Sequence, residues 1–330
     1  MMLWGGFLLL ITGLLTLDLA VLNRRPHAIS PREAIGWTAF WVSLALLFNV
    51  AIYFIYSGGI LGAGPELGGR EAALQFLTAY LVEESLSLDN VFVIAIVIQF
   101  FRIPPAFQHR VLFWGIAGAL VMRGTMILIG IAAIRRMEWL VYPFGLILLA
   151  TAVRMLLMKE EGIDPGRNLA VRIFRRFWPA TATIDGSSFF TREGGRRVAT
   201  PLFVALIVIE SADLLFAVDS IPAVLAITRD PFVAFTSNAF AILGLRSLYF
   251  ALAAVLGRFH YLKISLVFVL GFVGIKMMLS RHIHIPVGLS LAVIAAMLGA
   301  GVAASLLRDR RKVRDQPEEC LSEPPPAVNS

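Results

Sequence analysis

Residues 209–224 read IESADLLFAVDSIPAV. Three carboxylates, Glu210, Asp213 and Asp219, and one proline, Pro222, interrupt an otherwise apolar run extending over residues 201–227. A membrane-spanning helix needs about 20 such residues at about 1.5 Å each, so this run is long enough to cross. An ionised carboxylate at mid-membrane costs about 2.5–3.5 kcal/mol on insertion scales. Three in one span therefore imply a bundle that uses the charge. The surrounding chain has the same texture, with apolar spans near 3–22, 34–57, 72–100, 109–134, 139–157, 201–227, 232–256, 262–280 and 286–307. Of 330 residues, 58% are apolar and 15% charged, with a mean hydropathy of +0.80. Soluble domains average about 45–50% and about 25%, which excludes a soluble globular protein and confines disorder to the ends. The expected fold class is all-α: a polytopic transmembrane bundle of about nine spans.

A second acidic span, VEESLSLDNVFV at 82–93, matches the first in spacing. With Asp89-Asn90 laid over Asp219-Ser220, Glu83 falls on Asp213, because each pair is six residues apart. Downstream, GALVMRG around Arg123 resembles AILGLRS around Arg246. The second acidic span comes three spans after the first, an odd step, so the two copies are expected to lie in opposite orientations, the inverted-repeat plan of many secondary transporters. The chain then divides into 1–70 (spans one and two), 71–157 (first repeat half), 158–200 (basic loop), 201–280 (second half), 281–307 (last span) and 308–330 (tail).

Seven acidic side chains fall inside spans: Asp18, Glu83, Glu84, Asp89, Glu210, Asp213 and Asp219. Only Arg123, Arg246 and Lys276 oppose them there, so the site either stays protonated or binds cations. Glu210 and Asp213, three apart, share a helix face. Asp213 and Asp219, six apart, lie about 9 Å along the axis and roughly 120° apart around it. A straight helix cannot aim all three at one ion. Pro222 removes the hydrogen bond to the Val218 carbonyl, so the acidic helices are expected to be kinked or broken. Oxygen ligands without thiolates favour hard divalent cations, Mn²⁺, Mg²⁺ or Ca²⁺. The expected metal ligands are Glu83, Asp89, Glu210, Asp213 and Asp219; the competing reading is a structural polar network. Asp18 caps or snorkels at the inner end of its span, or joins the site. Asn90 and Asn238 bridge helices or supply ligand oxygens, and Ser220 accompanies Asp219 as Asn90 accompanies Asp89. Arg123, Arg246 and Lys276 neutralise carboxylates, hold helices together or gate. Glu84, turned about 100° from Glu83, is expected to pair with a basic residue at the bundle surface.

Loops 23–33, 101–110, 158–200 and 257–261, with the tail and adjoining span ends, hold 21 of the 29 Lys and Arg. The positive-inside rule places the N-terminus outside and the C-terminus in the cytoplasm, with Arg135 and Arg136 running against the bias. The net charge of +7 is thereby explained by orientation and by membrane lipid, without nucleic acid. Asn168–Trp178 alternates apolar and basic residues, as an interfacial helix would. The single cysteine, Cys320, permits no internal disulfide and no thiolate metal cluster. His27, His109, His260, His282 and His284 lie in loops or at span ends, where a solvated role is expected.

The runs EESLSLDNVFV, ESADLLFAVDSIPAVLAIT and TSNAFAILGLRSLYFAL, with LFWGIAGALVMRG (112–124) and GFVGIKMML (271–279), strongly resemble the TerC family of integral membrane proteins from about residue 10 to 305. The resemblance implies a transporter of the wider LysE-like superfamily, associated with manganese export and, by older naming, tellurium resistance. It also carries the acidic positions onto Glu83, Asp89, Glu210, Asp213 and Asp219, and implies the direction of transport. The expected function is an inner-membrane, multi-pass secondary transporter exporting divalent metal, Mn²⁺ above Ca²⁺, by alternating access, with proton exchange as an option. It would be no enzyme and would need no cofactor, the metal being its substrate; its oligomeric state is open. The alternative is an accessory membrane factor for protein insertion or assembly. An intramembrane protease built on Asp89 and Asp219 lacks the Gly-x-Gly-Asp motif.

Overall fold

The structure is a computed structural model, and it describes residues 2–20, 31–59, 67–157, 169–181, 183–253, 261–280, 282–283 and 285–314. Nine long helices are present among these residues: α1 (Met2–Ala20), α2 (Pro31–Ser57), α3 (Gly69–Phe100), α4 (Pro105–Arg136), α5 (Val141–Leu157), α7 (Pro201–Leu225), α8 (Pro231–Ala253), α9 (Leu262–Leu279) and α10 (Val287–Arg314). A short helix, α6 (Leu169–Phe177), and a hairpin of β1 (Phe190–Glu193) and β2 (Arg196–Ala199) lie between α5 and α7. Stretches in α2, α4, α5, α7, α8 and α10 are long and apolar enough to cross a membrane, and α1 and α9 add shorter apolar stretches. The protein is thus a polytopic helical membrane protein.

Helix starts follow from local chemistry. Pro105 and Pro201 stand in the first turns of α4 and α7, where a missing N–H costs nothing. Asp230 caps α8: its Oδ1 accepts the N–H groups of Phe232 and Val233 at 2.9 and 3.0 Å. It also accepts the Tyr56 hydroxyl of α2 at 2.8 Å.

The helices before residue 158 interlock with those after residue 200. α3 packs on α8 as α7 packs on α4, and α5 packs on α9. At the α5–α9 crossing a Cβ on Gly274 would meet the Gly145 carbonyl oxygen at 3.1 Å. One on Gly145 would meet Met278 Cγ at 2.6 Å. Small residues here let the backbones touch, the usual way helices associate in lipid. An aromatic cluster of Phe7, Phe48, Phe76, Phe232, Phe235 and Phe240 seats α1 and α2 against α3 and α8, with the Phe48 and Phe240 rings 4.8 Å apart. Leu9, Leu47, Phe54, Val121, Ile129, Leu146, Leu215 and Phe268 all face outward. The bundle is apolar at its perimeter and charged at its centre, the inverse of a soluble protein.

Three expectations require correction. Neither acidic helix is broken: α3 runs unbroken from Gly69 to Phe100, and α7 continues through Pro222 to Leu225. Pro222 falls in the last turn, so the one hydrogen bond it removes comes too late to interrupt the helix. Among the described residues of 158–200 a hairpin follows α6, which the reading as a basic loop with one interfacial helix does not include. Val171 of α6 is buried in the protein core and Phe174 meets Phe203 at 5.4 Å, so α6 packs on α7. The hairpin beside it turns at Gly194-Gly195, with φ of 56° and 79°, a conformation that only glycine adopts readily. Arg110 at the start of α4 ties this region down by donating to Ser187 Oγ at 2.9 Å and lying over the Phe189 ring. Finally, Glu84 points inward, its carboxylate beside Gly244 of α8, which also lies close to Trp41 of α2, and its Oε2 is buried with no hydrogen bond. The α2 helix covers the face expected to be bundle surface.

Candidate functional site

The centre of the bundle is organised around Arg123 of α4, which is only 1% exposed. Its guanidinium reaches two helices at once. It pairs with Glu83 of α3. On α7 it donates to Asp213, from Nη2 to Oδ1 at 2.6 Å and from Nε to Oδ2 at 3.1 Å. Nη1 also approaches Ser220 Oγ at 3.5 Å. Asn90, two turns from Glu83 along the same face of α3, donates its Nδ2 to Asp213 Oδ1 at 3.3 Å. Bidentate contact of this kind suits the planar fork of arginine and not the point charge of lysine. Glu83 and Asp213 are also the residues that superpose when the two acidic stretches are aligned in sequence, and both pair with the Arg123 guanidinium.

A cavity of about 30 Å³ lies beside Asp213 and Asn90, walled by Val93, Ile94, Leu112 and Ile116 among others. Its volume accommodates roughly one or two water molecules, given the minimum of about 10–15 Å³ for one. Val93, Ile94, Leu112, Gly115, Ile116 and Ile209 lie towards the side where α3 ends and α4 and α7 begin, while Phe216 lies past Asp213 along α7. Asn90, which lines it, has capacity to spare, its Oδ1 being buried and accepting nothing; at the Arg123 pair, Glu83 Oε2 likewise accepts no hydrogen bond.

The other expected ligands are dispersed. Glu210 lies one turn nearer the start of α7, its carboxylate seated directly on Gly118 of α4, where any side chain would collide with it. Asp219 turns to α5, accepting the Thr151 hydroxyl at 2.6 Å, with Arg154 also acting on it. The six-residue separation of Asp213 and Asp219 in an unbroken helix sends them to different neighbours, as helix geometry requires. Among the described residues no three His, Cys, Asp or Glu side chains are grouped to hold one ion. Asn238 of α8 is 2% exposed, with Nδ2 unpartnered. Lys276 is half-buried on α9. The side chains of Asp18, Asp89 and Arg246 lie outside the described residues, as do His27, His260, His284 and Cys320. Thr151 was not anticipated; its position in the α5 span, unremarkable by itself, gains meaning only from the packing against α7.

Residues 68–313 match the integral membrane protein TerC family. The chain is 47% identical over 308 residues to the uncharacterized membrane protein STKORF319 of Myxococcus xanthus, covering 93% of each. It is 46% identical to a Salmonella typhi protein and 45% identical to an Escherichia coli K12 protein, both provisionally named membrane-bound redox modulator Alx. These alignments cover 90% of the chain and 91% and 92% of the relatives. No solved structure matches.

Proposed function

The chain belongs to the TerC family of integral membrane proteins, and from that premise we propose that it is a secondary transporter of hard divalent cations, Mn²⁺ foremost, in the cytoplasmic membrane. The observation that carries the reading is the meeting of Glu83 and Asp213 on Arg123, with Asp213 and Asn90 lining a cavity. Carboxylate and amide oxygens are the ligands that Mn²⁺, Mg²⁺ and Ca²⁺ prefer. Buried carboxylates in a membrane bundle mark ion pathways. Glu210, a turn nearer the α7 start, relays the ion towards Asp213. With the positive-inside orientation, the cavity faces the cytoplasm, which suits export. Alternating access comes from exchange of packing between the two halves, and Asp89 completes the ligand set in the metal-bound state. Within these 330 residues a single cysteine rules out internal dithiol exchange, so the redox effect in the name of the Alx relatives would not come from a disulfide within this chain.

The test is uptake of radiolabelled Mn²⁺ into everted membrane vesicles, comparing the unaltered protein with Asp213→Asn at matched abundance. Asp213→Asn is expected to lower the rate at least a hundredfold. No transport of Mn²⁺ or Ca²⁺ by the unaltered protein would sink the proposal and favour an accessory role in membrane-protein assembly.

Gly118→Val gives a second test, since its side chain must displace the Glu210 carboxylate. The rate should fall as far as in Glu210→Gln. Gly271→Ala, whose new methyl meets nothing within 4 Å, should transport normally. A Gly118→Val protein as fast as the unaltered one would remove Glu210 from the pathway.

A further inference from the structure

We propose that Arg123 is a tethered substitute for the transported ion: it occupies the Glu83–Asp213 pair when the site is empty and is displaced when a dication enters. The inference rests on the transport reading above and specifies how that site works. Asp213 is fully engaged, its two oxygens taking two guanidinium contacts and the Asn90 amide. A divalent ion drawing about six to eight oxygens to about 2.0–2.6 Å cannot share Asp213 with a guanidinium nitrogen at 2.6 Å. The oxygens without hydrogen bonds, Asn90 Oδ1 and Glu83 Oε2, are the ones an incoming ion would gain. Asn90 lines the cavity and is only 5% exposed.

Charge explains why such a residue is useful. A carrier has to reorient empty as well as loaded. Two bare carboxylates are costly at mid-membrane. With Arg123 between them the empty site carries a net charge of only −1 by formal count of Glu83, Asp213 and Arg123. Arg123 therefore permits the empty return step. The same guanidinium weakens ion binding, because it must be displaced first.

These two effects separate Arg123 from a residue that merely holds helices together. In Arg123→Gln, Mn²⁺ bound to the purified protein, followed by the loss of the free-ion paramagnetic resonance signal, should be held at least tenfold more tightly. In proteoliposomes, net Mn²⁺ efflux into metal-free medium should fall at least tenfold while exchange of internal for external Mn²⁺ persists. Weaker binding, or net flux and exchange lost together, would overturn the proposal. If Arg123→Gln does not accumulate, Arg123→Lys serves. Net efflux and exchange should then keep the unaltered protein's ratio, and loss of both would count against the proposal. Failure of the unaltered protein to bind or move Mn²⁺ or Ca²⁺ would instead strike the transport reading itself.

Discussion

Replacing Glu83 by Leu is expected to destabilise the bundle by about 3–5 kcal/mol, the usual cost of removing one partner from a buried ion pair. Both Glu83 and Arg123 are almost wholly enclosed, at 0% and 1% exposure, so no water replaces the lost charge. Arg123 would retain Asp213, which moderates the cost towards the lower figure. Arg123→Leu alone should be similarly harmful, since it leaves Glu83 and Asp213 facing each other. The double change Glu83→Leu/Arg123→Leu should cost less than the sum of the singles, a coupling that a double-mutant cycle reads directly. The measurement is unfolding of the micelle-solubilised protein by increasing SDS fraction. Singles that unfold with the unaltered protein would show that the pair contributes nothing to stability.

The second large effect is expected where α5 crosses α9. Gly274→Leu inserts a side chain where even a Cβ stands 3.1 Å from the Gly145 carbonyl oxygen and 3.1 Å from Leu148 Cβ. Neither neighbour is the far end of a flexible side chain, so the helices must separate. Overpacking of a well-filled interior costs about 1–3 kcal/mol or more, and in lipid no hydrophobic force draws the helices together again. The folded fraction in detergent extracts should drop at least fivefold by size-exclusion chromatography. Gly271→Ala, one turn away on α9 and open to space, should behave as the unaltered protein does. Equal folded yields for the two would mean that this crossing is not a closely held contact.

The helical plan was legible because spans of about 20 apolar residues leave little choice in a bilayer. The hairpin was not anticipated: FTRE and RRVA are polar and short, although Gly194-Gly195 between them is a turn signal of the strongest kind. The spacing of Glu83 from Asp89 and of Asp213 from Asp219 gave the repeat correspondence. It could not tell that Arg123 stands between Glu83 and Asp213. That depends on which neighbour each face meets. For the same reason Asp219 could not be assigned to Thr151, nor Glu84 to the space under α2, because periodicity gives a direction around a helix but not what lies there.

The interlock of α3 on α8 and of α7 on α4 also has a bearing on biogenesis. α3 enters the membrane with Glu83, Glu84 and Asp89 ahead of α4, which carries Arg123, and long before α8 arrives to cover it. During that interval the half-made chain holds costly charges in lipid with no finished neighbour. The nascent protein is accordingly most vulnerable to quality-control proteases before α8 is in place, and chains stopped short of residue 231 should be cleared from the cell faster than chains stopped within the tail.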